Sequence, residues 1–400
     1  MPVGVALLGS TGSIGQSALA VLERHPQRFR LVSLAAHRNL GELEAQVARY
    51  RPEKVVLADP DGDRPATAGK QERWGFGKQA LLDVAADPDV DIVINAIVGA
   101  AGLEVSLAVL REGKRLALAN KESLVVGGPL LLQALHEGGG ELVPIDSEHS
   151  AILQCLAAGR LPGGREGHEH SGAALPGVEQ ARRLILTASG GPFRDWDIAD
   201  LGEVTPTQAL RHPTWEMGAK ISVDSASLAN KALEVVEAHF LFGFDYDDID
   251  VLLHPQSIIH SMVEMVDGSV LAQLGYPDME LPILYALSYP DRIPEPPKTF
   301  DLAASEPLSF DRLDPERFPA YCLGIEAGRA GGSAPVLFNA ANEIAVSAFL
   351  AERLTFPGIA AVIDGVLQTI DIVPVDSLQT VFDADQRARS IALEIVRARC

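Results

Sequence analysis

The first 150 residues of the chain alternate short aliphatic and β-branched runs with Ala- and Leu-rich stretches of helical spacing. Strands that alternate with helices pair in parallel, because each helix returns the chain across a face of the sheet. The runs with strand character are Val3 to Leu8, Leu31 to Ala35, Lys54 to Ala58, Asp91 to Ala96, Arg115 to Ala119 and Glu141 to Pro144. We therefore predict an α/β fold that begins with a doubly wound parallel sheet over residues 1–150.

Three further regions follow this first domain. Residues 151–289 combine strand-like runs with one strong helix from about Ser225 to Phe242, which predicts an α+β middle domain. A proline-rich linker is predicted over 290–312, and helical apolar spacing predicts a C-terminal helical bundle over 313–400. The stretch 160–180 is rich in Gly, His and Glu, and we predict a surface loop there.

The charge balance and the cysteine count disfavour several classes of protein. The chain has 33 basic and 54 acidic residues, a net charge of −21, which disfavours binding to nucleic acid or to an anionic membrane. The longest apolar region, around 92–110, is too short and too interrupted to span a bilayer. The three cysteines match neither a disulfide framework nor a structural zinc site, and no signal peptide is evident, so we expect a cytoplasmic protein.

A glycine-rich turn, Gly9-Ser-Thr-Gly-Ser-Ile-Gly15, lies between the first strand and the helical stretch that starts at Gln16. Its glycines allow a tight turn and a close approach of the backbone to a pyrophosphate, whose charge is favoured at the helix N-terminus. A plain strand-to-helix connection is the alternative, since such a turn alone is a weak signal. Its place in the first unit of the alternation favours a Rossmann-type dinucleotide site, with Thr11 and Ser13 as added hydroxyl donors.

The residues after the second strand bear on the choice of cofactor. They are His37, Arg38 and Asn39, at the place where an NAD-dependent enzyme usually has an acid for the ribose 2′-hydroxyl. A cation there favours a 2′-phosphate and hence NADP over NAD. A solvated loop arginine is the alternative for Arg38, and the missing acid is the stronger part of the argument.

Acidic residues follow the last predicted strand of the first domain, in Pro144-Ile-Asp-Ser-Glu-His149. Asp146 and Glu148 would point to the same side if the chain stays extended, at the sheet edge where ligands bind in such folds. Two converging carboxylates without nearby cysteine suit Mg²⁺ or Mn²⁺ better than zinc. A helix N-cap with an acidic first turn is an equally good interpretation of this segment alone.

A second set of polar residues lies on the helix predicted from Ser225. Lys231 and Glu234 are three residues apart and share one helical face. The N–H groups of a Ser-rich helix start would hold a phosphate together with Ser225, Asn230 and Lys231. Glu234 would then complete a three-carboxylate metal site. A Lys/Glu surface pair is the alternative.

Two loops of the middle domain have unusual compositions for simple connections. Thr187–Phe193 contains Ser-Gly-Gly-Pro and resembles a backbone anion nest. Arg211–Gly218 places Trp215 between a proline and a glycine, which suits a mobile lid over a substrate. Ordinary packing is the alternative for Trp215.

Together, these motifs resemble those of the 1-deoxy-D-xylulose-5-phosphate reductoisomerase family over essentially the whole chain. Only the glycine turn is shared widely among oxidoreductases, so the ordered set is highly specific. The matching strings are Gly-Ser-Thr-Gly-Ser-Ile-Gly at 9, Asn-Lys-Glu-Ser at 120, Asp-Ser-Glu-His at 146, Ser-Gly-Gly-Pro-Phe at 189, His-Pro-Thr-Trp at 212, Met-Gly-Ala-Lys-Ile-Ser-Val-Asp-Ser at 217, Asn-Lys-Ala-Leu-Glu at 230 and His-Pro-Gln-Ser-Ile-Ile-His-Ser-Met-Val at 254. The departures are His37-Arg38 in place of a more usual Gly-Lys, and an individual loop over 160–180.

The resemblance implies roles for residues at the matching positions. The implied metal ligands, for Mg²⁺ or Mn²⁺ with Co²⁺ as a further candidate, are Asp146, Glu148 and Glu234. The implied substrate contacts are Lys121, Ser147, Glu148, Ser189, His212, Trp215, Ser225, Asn230, Lys231 and Glu234. Those expected at the phosphate are Ser189, Ser225, Asn230 and Lys231. The implied NADPH contacts are Thr11, Gly12, Ser13, Ile14, His37, Arg38, Asn39, Asn120, Glu122 and Gly218.

The resemblance also implies an activity. We expect a homodimer that uses NADPH to convert 1-deoxy-D-xylulose 5-phosphate to 2-C-methyl-D-erythritol 4-phosphate, in the non-mevalonate route to isoprenoids, and that phosphonohydroxamates such as fosmidomycin inhibit. The metal would chelate the carbonyl and adjacent hydroxyl oxygens during a rearrangement by cleavage and re-addition, and hydride would reduce the resulting aldehyde. Lys121 and Glu148 are the catalytic candidates for moving protons. The alternatives are another NADP-linked dehydrogenase, of the aspartate-semialdehyde or homoserine type, and an NADPH sensor without catalysis.

Overall fold

The computed structural model of the chain describes residues 1–59, 73–158, 177–215, 217–294 and 300–399. Of the loop predicted over 160–180, residues 160–176 lie outside these ranges. The chain divides into two compact units, and the four-part division at 150, 289 and 312 stays a prediction. Unit 1 comprises Met1–Ser123, Leu131–Ser150 and Asp278–Glu295, and unit 2 comprises Leu124–Leu130, Ala151–Pro277 and Pro296–Cys400.

Unit 1 is built on a seven-stranded sheet in which every neighbouring pair is parallel. The strands are β1 (Val3–Leu8), β2 (Phe29–Ala36), β3 (Lys54–Leu57), β4 (Trp74–Phe76), β5 (Ile92–Asn95), β6 (Arg115–Leu118) and β7 (Glu141–Pro144). Their order is β4-β3-β2-β1-β5-β6-β7, so the winding reverses between β1 and β5. The predicted doubly wound sheet is confirmed. Only the short β4 was not among the strands predicted for this sheet.

Helices alternate with these strands and then dominate the C-terminal part of the chain. They are α1 (Ser13–Arg24), α2 (Leu40–Tyr50), α3 (Gly77–Asp83), α4 (Leu103–Arg111), α5 (Lys121–Gly138), α6 (Ser147–Ala158), α7 (Pro206–Ala209), α8 (Ala219–Ser227), α9 (Ala229–Phe242), α10 (Glu280–Ser288), α11 (Pro319–Ala330), α12 (Ala334–Leu350), α13 (Phe356–Thr369) and α14 (Leu378–Arg399). Helix α12 packs against α11, α13 and α14, which confirms the predicted C-terminal helical bundle. Among the described residues, no helix is both long enough and apolar enough to cross a bilayer.

The central strand of unit 1 shows why its sequence is a continuous apolar run. In β1 the side chains of Val5, Leu7 and Leu8 are fully buried, at 0% exposure. Such burial of successive residues is typical of a parallel strand that is covered on both faces. The backbone is also tightly packed at the start of β1, where a Cβ atom added at Gly4 would lie 1.9 Å from the carbonyl oxygen of Asp89. This rigid strand leads directly into the glycine turn.

Unit 2 contains a mixed sheet of five strands. They are β8 (Ala181–Ala188), β9 (Ile249–Leu253), β10 (Ile259–Met265), β11 (Val270–Leu274) and β12 (Asp311–Arg312). The order is β11-β10-β8-β9-β12, in which β8 and β9 are parallel and the other neighbours are antiparallel. A mixed sheet with separate helices agrees with the predicted α+β middle domain.

The single helix predicted from Ser225 to Phe242 is wrong, because the structure has a break at Leu228 between α8 and α9. Leu228 has φ +56°, a left-handed conformation that is strained for a leucine. Its side chain is 2% exposed in an apolar cluster with Ala188, Leu253 and Phe318, and this burial offsets the strain. Helix α9 therefore has an N-terminus of its own, and Ser225 lies in the last turn of α8 rather than at a helix start.

Candidate active site

The glycine turn after β1 is packed tightly against its neighbours. Gly9 has φ +84°, and a Cβ atom added there would lie 2.4 Å from the carbonyl oxygen of Ala96. A Cβ atom added at Gly15 would lie 2.4 Å from the carbonyl oxygen of Gly9. At Gly12 the nearest atom would be 3.5 Å away. Positions 9 and 15 therefore need glycine for packing, whereas Gly12 leaves room for an approaching ligand.

Helix α1 presents backbone donors at this turn. Its first intrahelical hydrogen bond runs from the Gln16 N–H to the Gly12 carbonyl at 2.9 Å, so the N–H groups of residues 13–15 precede the helical ladder. The buried Ser10 Oγ donates to Gln46 Oε1 at 2.7 Å, and Gln46 Nε2 donates to the Ser10 carbonyl at 2.9 Å. Gln46, which the sequence analysis did not single out, thereby braces the turn. The partly or fully exposed side chains of the turn are Thr11, Ser13 and Ile14.

The end of β2 carries the predicted 2′-phosphate residues beside an acid that the sequence analysis missed. The Arg38 Nε donates to Asp59 Oδ2 at 2.7 Å, and His37 Nε2 lies 3.5 Å from the same oxygen. The Asp59 N–H donates to the His37 carbonyl at 2.9 Å, which extends the pairing of β3 with β2. Asn39 caps α2 by accepting a hydrogen bond from the Glu42 N–H at 3.3 Å. The side chains of Arg38 and His37 are 65% and 70% exposed, so both remain accessible to a ligand.

Asn120 and Glu122 organise the loop that follows β5. The Asn120 Nδ2 donates to the Gly99 carbonyl at 2.9 Å and to Glu122 Oε2 at 3.2 Å. Its Oδ1 accepts a hydrogen bond from the Ser123 N–H at 3.1 Å, which caps α5. The loop that they hold exposes Val98 by 73% near the carboxyl end of β5. Ligands of doubly wound sheets bind where the winding reverses, here between β1 and β5, so Val98 is an apolar candidate contact that the sequence analysis missed.

Lys121 and Asp146 form an ion pair within unit 1. The Lys121 Nζ lies 2.6 Å from Asp146 Oδ2, and the two side chains are only 13% and 16% exposed. His149 Nδ1 is 3.6 Å from the same oxygen. Burial favours the neutral acid, but Lys121 and His149 outweigh it and hold the pKa of Asp146 far below its usual range. Asp146 is therefore ionised at physiological pH and is able to act as an oxygen ligand for a cation.

Ser147 and Glu148 lie in a helix rather than in an extended segment. Helix α6 begins at Ser147, so the predicted extended conformation of this segment is wrong, but a carboxylate oxygen of Asp146 still lies within 4.8 Å of one of Glu148, and the two groups converge as predicted. The alternative interpretation, an acidic first helical turn, is confirmed, since negative charge is favoured at a helix N-terminus. The Ser147 hydroxyl donates to Glu148 Oε2. The carboxylates of Asp146 and Glu148 remain hard oxygen donors of the kind that Mg²⁺ and Mn²⁺ prefer.

In unit 2, Ser189 begins a glycine loop after β8. Gly190 and Gly191 have φ +82° and +67°, a conformation that favours glycine. The Ser189 Oγ lies 2.9 Å from His212 Nε2 and accepts a hydrogen bond from the Gly191 N–H at 3.2 Å. A Cβ atom added at Gly191 would lie 2.8 Å from the Ser225 carbonyl oxygen. The structure therefore brings the glycine loop against the last turn of α8, which carries Ser225.

The first turns of α9 carry Asn230, Lys231 and Glu234. Lys231 and Glu234 form an ion pair whose side chains are 4% and 2% exposed, and the Asn230 Nδ2 also donates to Glu234. The surface-pair alternative is therefore wrong, because both charges are removed from solvent. Removing either partner of such a pair leaves the other charge desolvated. Backbone N–H groups at the start of α9 precede its helical ladder and lie beside these side chains.

The predicted lid segment is described except for Glu216. The His212 Nδ1 accepts hydrogen bonds from the backbone N–H groups of Thr214, at 3.2 Å, and Trp215, at 2.9 Å. The Trp215 side chain is half-buried. Gly218 is the exposed N-cap of α8, and no atom lies within 4 Å of a Cβ atom added there. The mobility of this segment stays a prediction.

Comparison with known proteins extends these observations over the whole chain. A family model described as 1-deoxy-D-xylulose 5-phosphate reductoisomerase matches residues 5–128. Models described as C-terminal domains of the same reductoisomerase match residues 142–242 and 274–391. The 1-deoxy-D-xylulose 5-phosphate reductoisomerase of Paraburkholderia phymatum is 50% identical over 97% of this chain and 94% of its own length. That of Pseudomonas aeruginosa is 48% identical over 98% of this chain and 97% of its own length.

Solved structures share the fold as well. The 1-deoxy-D-xylulose 5-phosphate reductoisomerase of Zymomonas mobilis in complex with NADPH is 41% identical, with a TM-score of 0.88 and coverage of 100% of both chains. A DOX-P reductoisomerase in complex with NADPH, fosmidomycin and magnesium is 38% identical, with a TM-score of 0.89 over 99% of this chain and 98% of that one. By sequence and by structure, this chain belongs to the 1-deoxy-D-xylulose 5-phosphate reductoisomerase family.

Proposed function

We propose that this chain is an NADP-dependent oxidoreductase that converts 1-deoxy-D-xylulose 5-phosphate to 2-C-methyl-D-erythritol 4-phosphate, with a divalent metal, in the non-mevalonate route to isoprenoids. The observation that carries the proposal is the match to reductoisomerases at 50% identity over 97% of the chain. A solved relative that binds NADPH, fosmidomycin and magnesium supports the cofactor, the metal and a site for a substrate analogue. The reaction combines a skeletal rearrangement with a hydride reduction.

NADPH, when bound, supplies the hydride for the reduction. Its pyrophosphate is assigned to the N–H groups of residues 13–15, because the open face at Gly12 allows the backbone to approach it. Arg38 and His37 are assigned to the 2′-phosphate, and Asp59 orients the Arg38 guanidinium. Contacts elsewhere on the cofactor are assigned to Thr11, Ser13, Ile14, Asn39, Asn120 and Glu122 and to the backbone of Gly218, with Val98 added from the structure.

A divalent metal, when bound, supplies Lewis acidity at the substrate oxygens. Its proposed ligands are Asp146, Glu148 and Glu234. The ion pair with Lys121 keeps Asp146 ionised, and Glu234 is paired with Lys231. Carboxylate oxygens suit Mg²⁺ and Mn²⁺, and relatives of known structure contain magnesium.

The phosphate of the substrate is assigned to unit 2. The hydroxyls of Ser189 and Ser225 and the first turn of α9, with Asn230 and Lys231, supply donors and one positive charge. The supporting observation is the contact of the glycine loop with the end of α8, which places two of these elements side by side. Anions are favoured at a helix N-terminus whose N–H groups precede the ladder. The proposed role of Trp215 is to cover the bound substrate.

Lys121 and Glu148 are the proposed proton carriers, and Ser147 is a proposed substrate contact. Lys121 follows β6 and Glu148 follows β7, and these strands are neighbours in the parallel sheet. Their side chains therefore start from the same edge of the sheet, where ligands bind in this architecture. The Ser147 hydroxyl donates to Glu148 and holds its carboxylate in place.

A homodimer and a cytoplasmic location complete the proposal. Strand β11 lies at the edge of the described sheet of unit 2 and exposes Val270 by 50%, and edge strands offer backbone groups to a second chain. The acidic composition and the absence of a disulfide-type cysteine pattern support a reducing compartment. Light scattering coupled to size exclusion measures the molar mass, and a monomer at micromolar concentration would remove the dimer from the proposal.

The activity is tested by following NADPH oxidation at its near-ultraviolet absorbance with 1-deoxy-D-xylulose 5-phosphate and Mg²⁺ or Mn²⁺. Matched samples contain a chelator or NADH in place of NADPH. We expect oxidation that needs the metal and strongly prefers NADPH. A folded, metal-loaded sample that oxidises no NADPH would reject the reductoisomerase and favour the NADPH sensor.

A further inference from the structure

Both ring nitrogens of His212 make hydrogen bonds. The Nδ1 atom lies 3.2 Å from the Thr214 nitrogen and 2.9 Å from the Trp215 nitrogen. Backbone nitrogens donate and do not accept, so Nδ1 is the acceptor in both contacts and carries no proton. The Nε2 atom lies 2.9 Å from the Ser189 Oγ. One ring thus connects the lid segment to the glycine loop.

These contacts determine the state of the ring. A neutral imidazole carries one proton, and with Nδ1 as acceptor that proton is on Nε2, from which it is donated to the Ser189 Oγ. Charging the ring requires a proton on Nδ1, towards which two N–H groups already point. Burial, and then the Arg194 guanidinium, lower the pKa of His212 to about 4, so the ring is neutral at physiological pH.

The direction of the Ser189 hydroxyl follows from the ring. Its Oγ accepts from the His212 Nε2–H at 2.9 Å and from the Gly191 N–H at 3.2 Å. A hydroxyl group accepts about two hydrogen bonds and donates one. Since the Ser189 Oγ already accepts two, the hydroxyl can bind a further group only by donating its proton. A phosphate oxygen only accepts, and the two groups are therefore matched.

We propose that His212 is a positioning residue that couples the lid segment to phosphate binding: its Nδ1 holds the Thr214 and Trp215 amides, and its Nε2–H makes the Ser189 hydroxyl a dedicated donor. The inference rests on the proposed function of Ser189 as a phosphate ligand. When the two amides leave Nδ1, nothing on the lid side selects the tautomer, and the Ser189 hydroxyl loses its fixed direction. The lid segment and the phosphate donor therefore change state together.

The ring state is tested without catalysis, on the full-length protein labelled with ¹⁵N at histidine. Two-bond ¹⁵N–¹H correlation spectra distinguish the two neutral tautomers from the charged ring. The His212 signals are the set that is missing from the His212→Gln variant. We expect the Nε2–H tautomer with a bare Nδ1 from about pH 6 to about pH 8. A protonated Nδ1 anywhere in that range overturns the proposal.

The coupling is tested by steady-state kinetics with 1-deoxy-D-xylulose 5-phosphate. In His212→Gln the side-chain amide reaches the Nε2 position and still donates to Ser189, whereas in His212→Asn the amide oxygen replaces only the Nδ1 acceptor. We expect His212→Asn and Ser189→Ala each to raise KM by about tenfold, the effect of losing a hydrogen bond to a charged group. We expect His212→Gln to lower kcat with a KM within about threefold of the wild-type value.

A double-mutant cycle separates coupling from two independent losses. The double variant His212→Asn with Ser189→Ala should have the same KM as His212→Asn alone. The double variant His212→Gln with Ser189→Ala should have a KM about tenfold above that of His212→Gln alone. KM effects of His212→Asn and Ser189→Ala that simply multiply overturn the proposal. His136→Gln, at an exposed histidine in the last turn of α5, is the control and should change neither constant. A wild-type protein that does not turn over the sugar phosphate rejects the proposed function, and the ring spectra then still decide the state of His212.

Discussion

Two helix N-termini of this protein are proposed to hold phosphate groups, and they are built in different ways. The start of α1 is made by glycines, since a Cβ atom at Gly9 would lie 2.4 Å from the carbonyl oxygen of Ala96. The start of α9 is made by Leu228, which has φ +56° and a side chain that is 2% exposed. Local freedom of the backbone creates the first, and burial of a side chain in the tertiary structure creates the second.

The side chains near the two helix starts also differ: those at α1 are neutral, and those at α9 include a buried ion pair. The first two turns of α1, residues 13–19, carry no charged side chain, and the donors there are backbone N–H groups and hydroxyls. The first turns of α9 carry the buried pair of Lys231 and Glu234. Neutral donors need no charged partner, whereas a buried pair is stable only while both charges are present. We therefore expect α1 to be sensitive to steric changes and α9 to be sensitive to changes of charge.

The largest effect on stability is expected from Lys231→Met in α9. Glu234 would stay buried without its cation, which should lower the free energy of unfolding by about 3–5 kcal/mol. The double variant Lys231→Met with Glu234→Gln should recover much of this loss, because it leaves no unpaired charge. Urea unfolding at neutral pH measures both. A single variant within about 1 kcal/mol of the wild type would show that charge does not hold this helix start.

Next in size is the steric prediction for α1, which compares two glycines. Gly9→Ala places a Cβ atom against a backbone carbonyl at a positive φ and should lower the free energy of unfolding by about 3 kcal/mol or more. Gly12→Ala has its nearest atom at 3.5 Å and should cost less than about 1 kcal/mol, yet it should weaken NADPH binding. Urea unfolding and fluorescence titration with NADPH separate the two effects. Equal stability losses would remove the distinction between a packing glycine and a ligand-facing one.

A smaller difference in stability is expected at Leu228, the residue with left-handed backbone conformation between α8 and α9. Leu228→Ala and Leu228→Gly both lose a buried side chain, at a cost of about 2–5 kcal/mol. Glycine tolerates the positive φ, so Leu228→Gly should be the more stable variant by about 1 kcal/mol. Leu233, 1% exposed inside α9, is the matched control, and there glycine should be worse than alanine by about 1 kcal/mol. The same order at both positions would mean that strain at Leu228 is negligible.

The smallest effect concerns pH and the neutral histidine of the lid segment. The pKa of His212 is about 4 in the folded protein against an ordinary value of 6.5, so below pH 6.5 the unfolded chain binds a proton that the folded chain does not. The stability contribution is complete above pH 6.5 and falls as the pH drops towards 4. In His212→Gln this part of the pH dependence should be missing. Urea midpoints measured across the window test it, and parallel curves for the two proteins would contradict it.

Much of the fold could be predicted because it depends on local patterns. Strand runs, helical spacing and the glycine turn repeat at short range, and the polar residues of both units follow from motifs of a few positions. The break at Leu228 could not be predicted, because the apolar spacing continues through it. Gln46, Asp59 and Val98 were missed for a related reason: each acts on a segment that is distant in sequence, or is defined by its exposure.

The sequence by itself determined the doubly wound sheet, the helical C-terminal part, the preference for a dinucleotide at the first turn and the family to which the chain belongs. Only the tertiary structure decided where α9 begins, that the Lys231–Glu234 pair is buried, and which nitrogen of His212 carries the proton. The physical reason is the range of the interactions. Backbone propensity and periodicity act between near neighbours, whereas burial, ion pairing and the direction of a hydrogen bond depend on groups that only folding brings together.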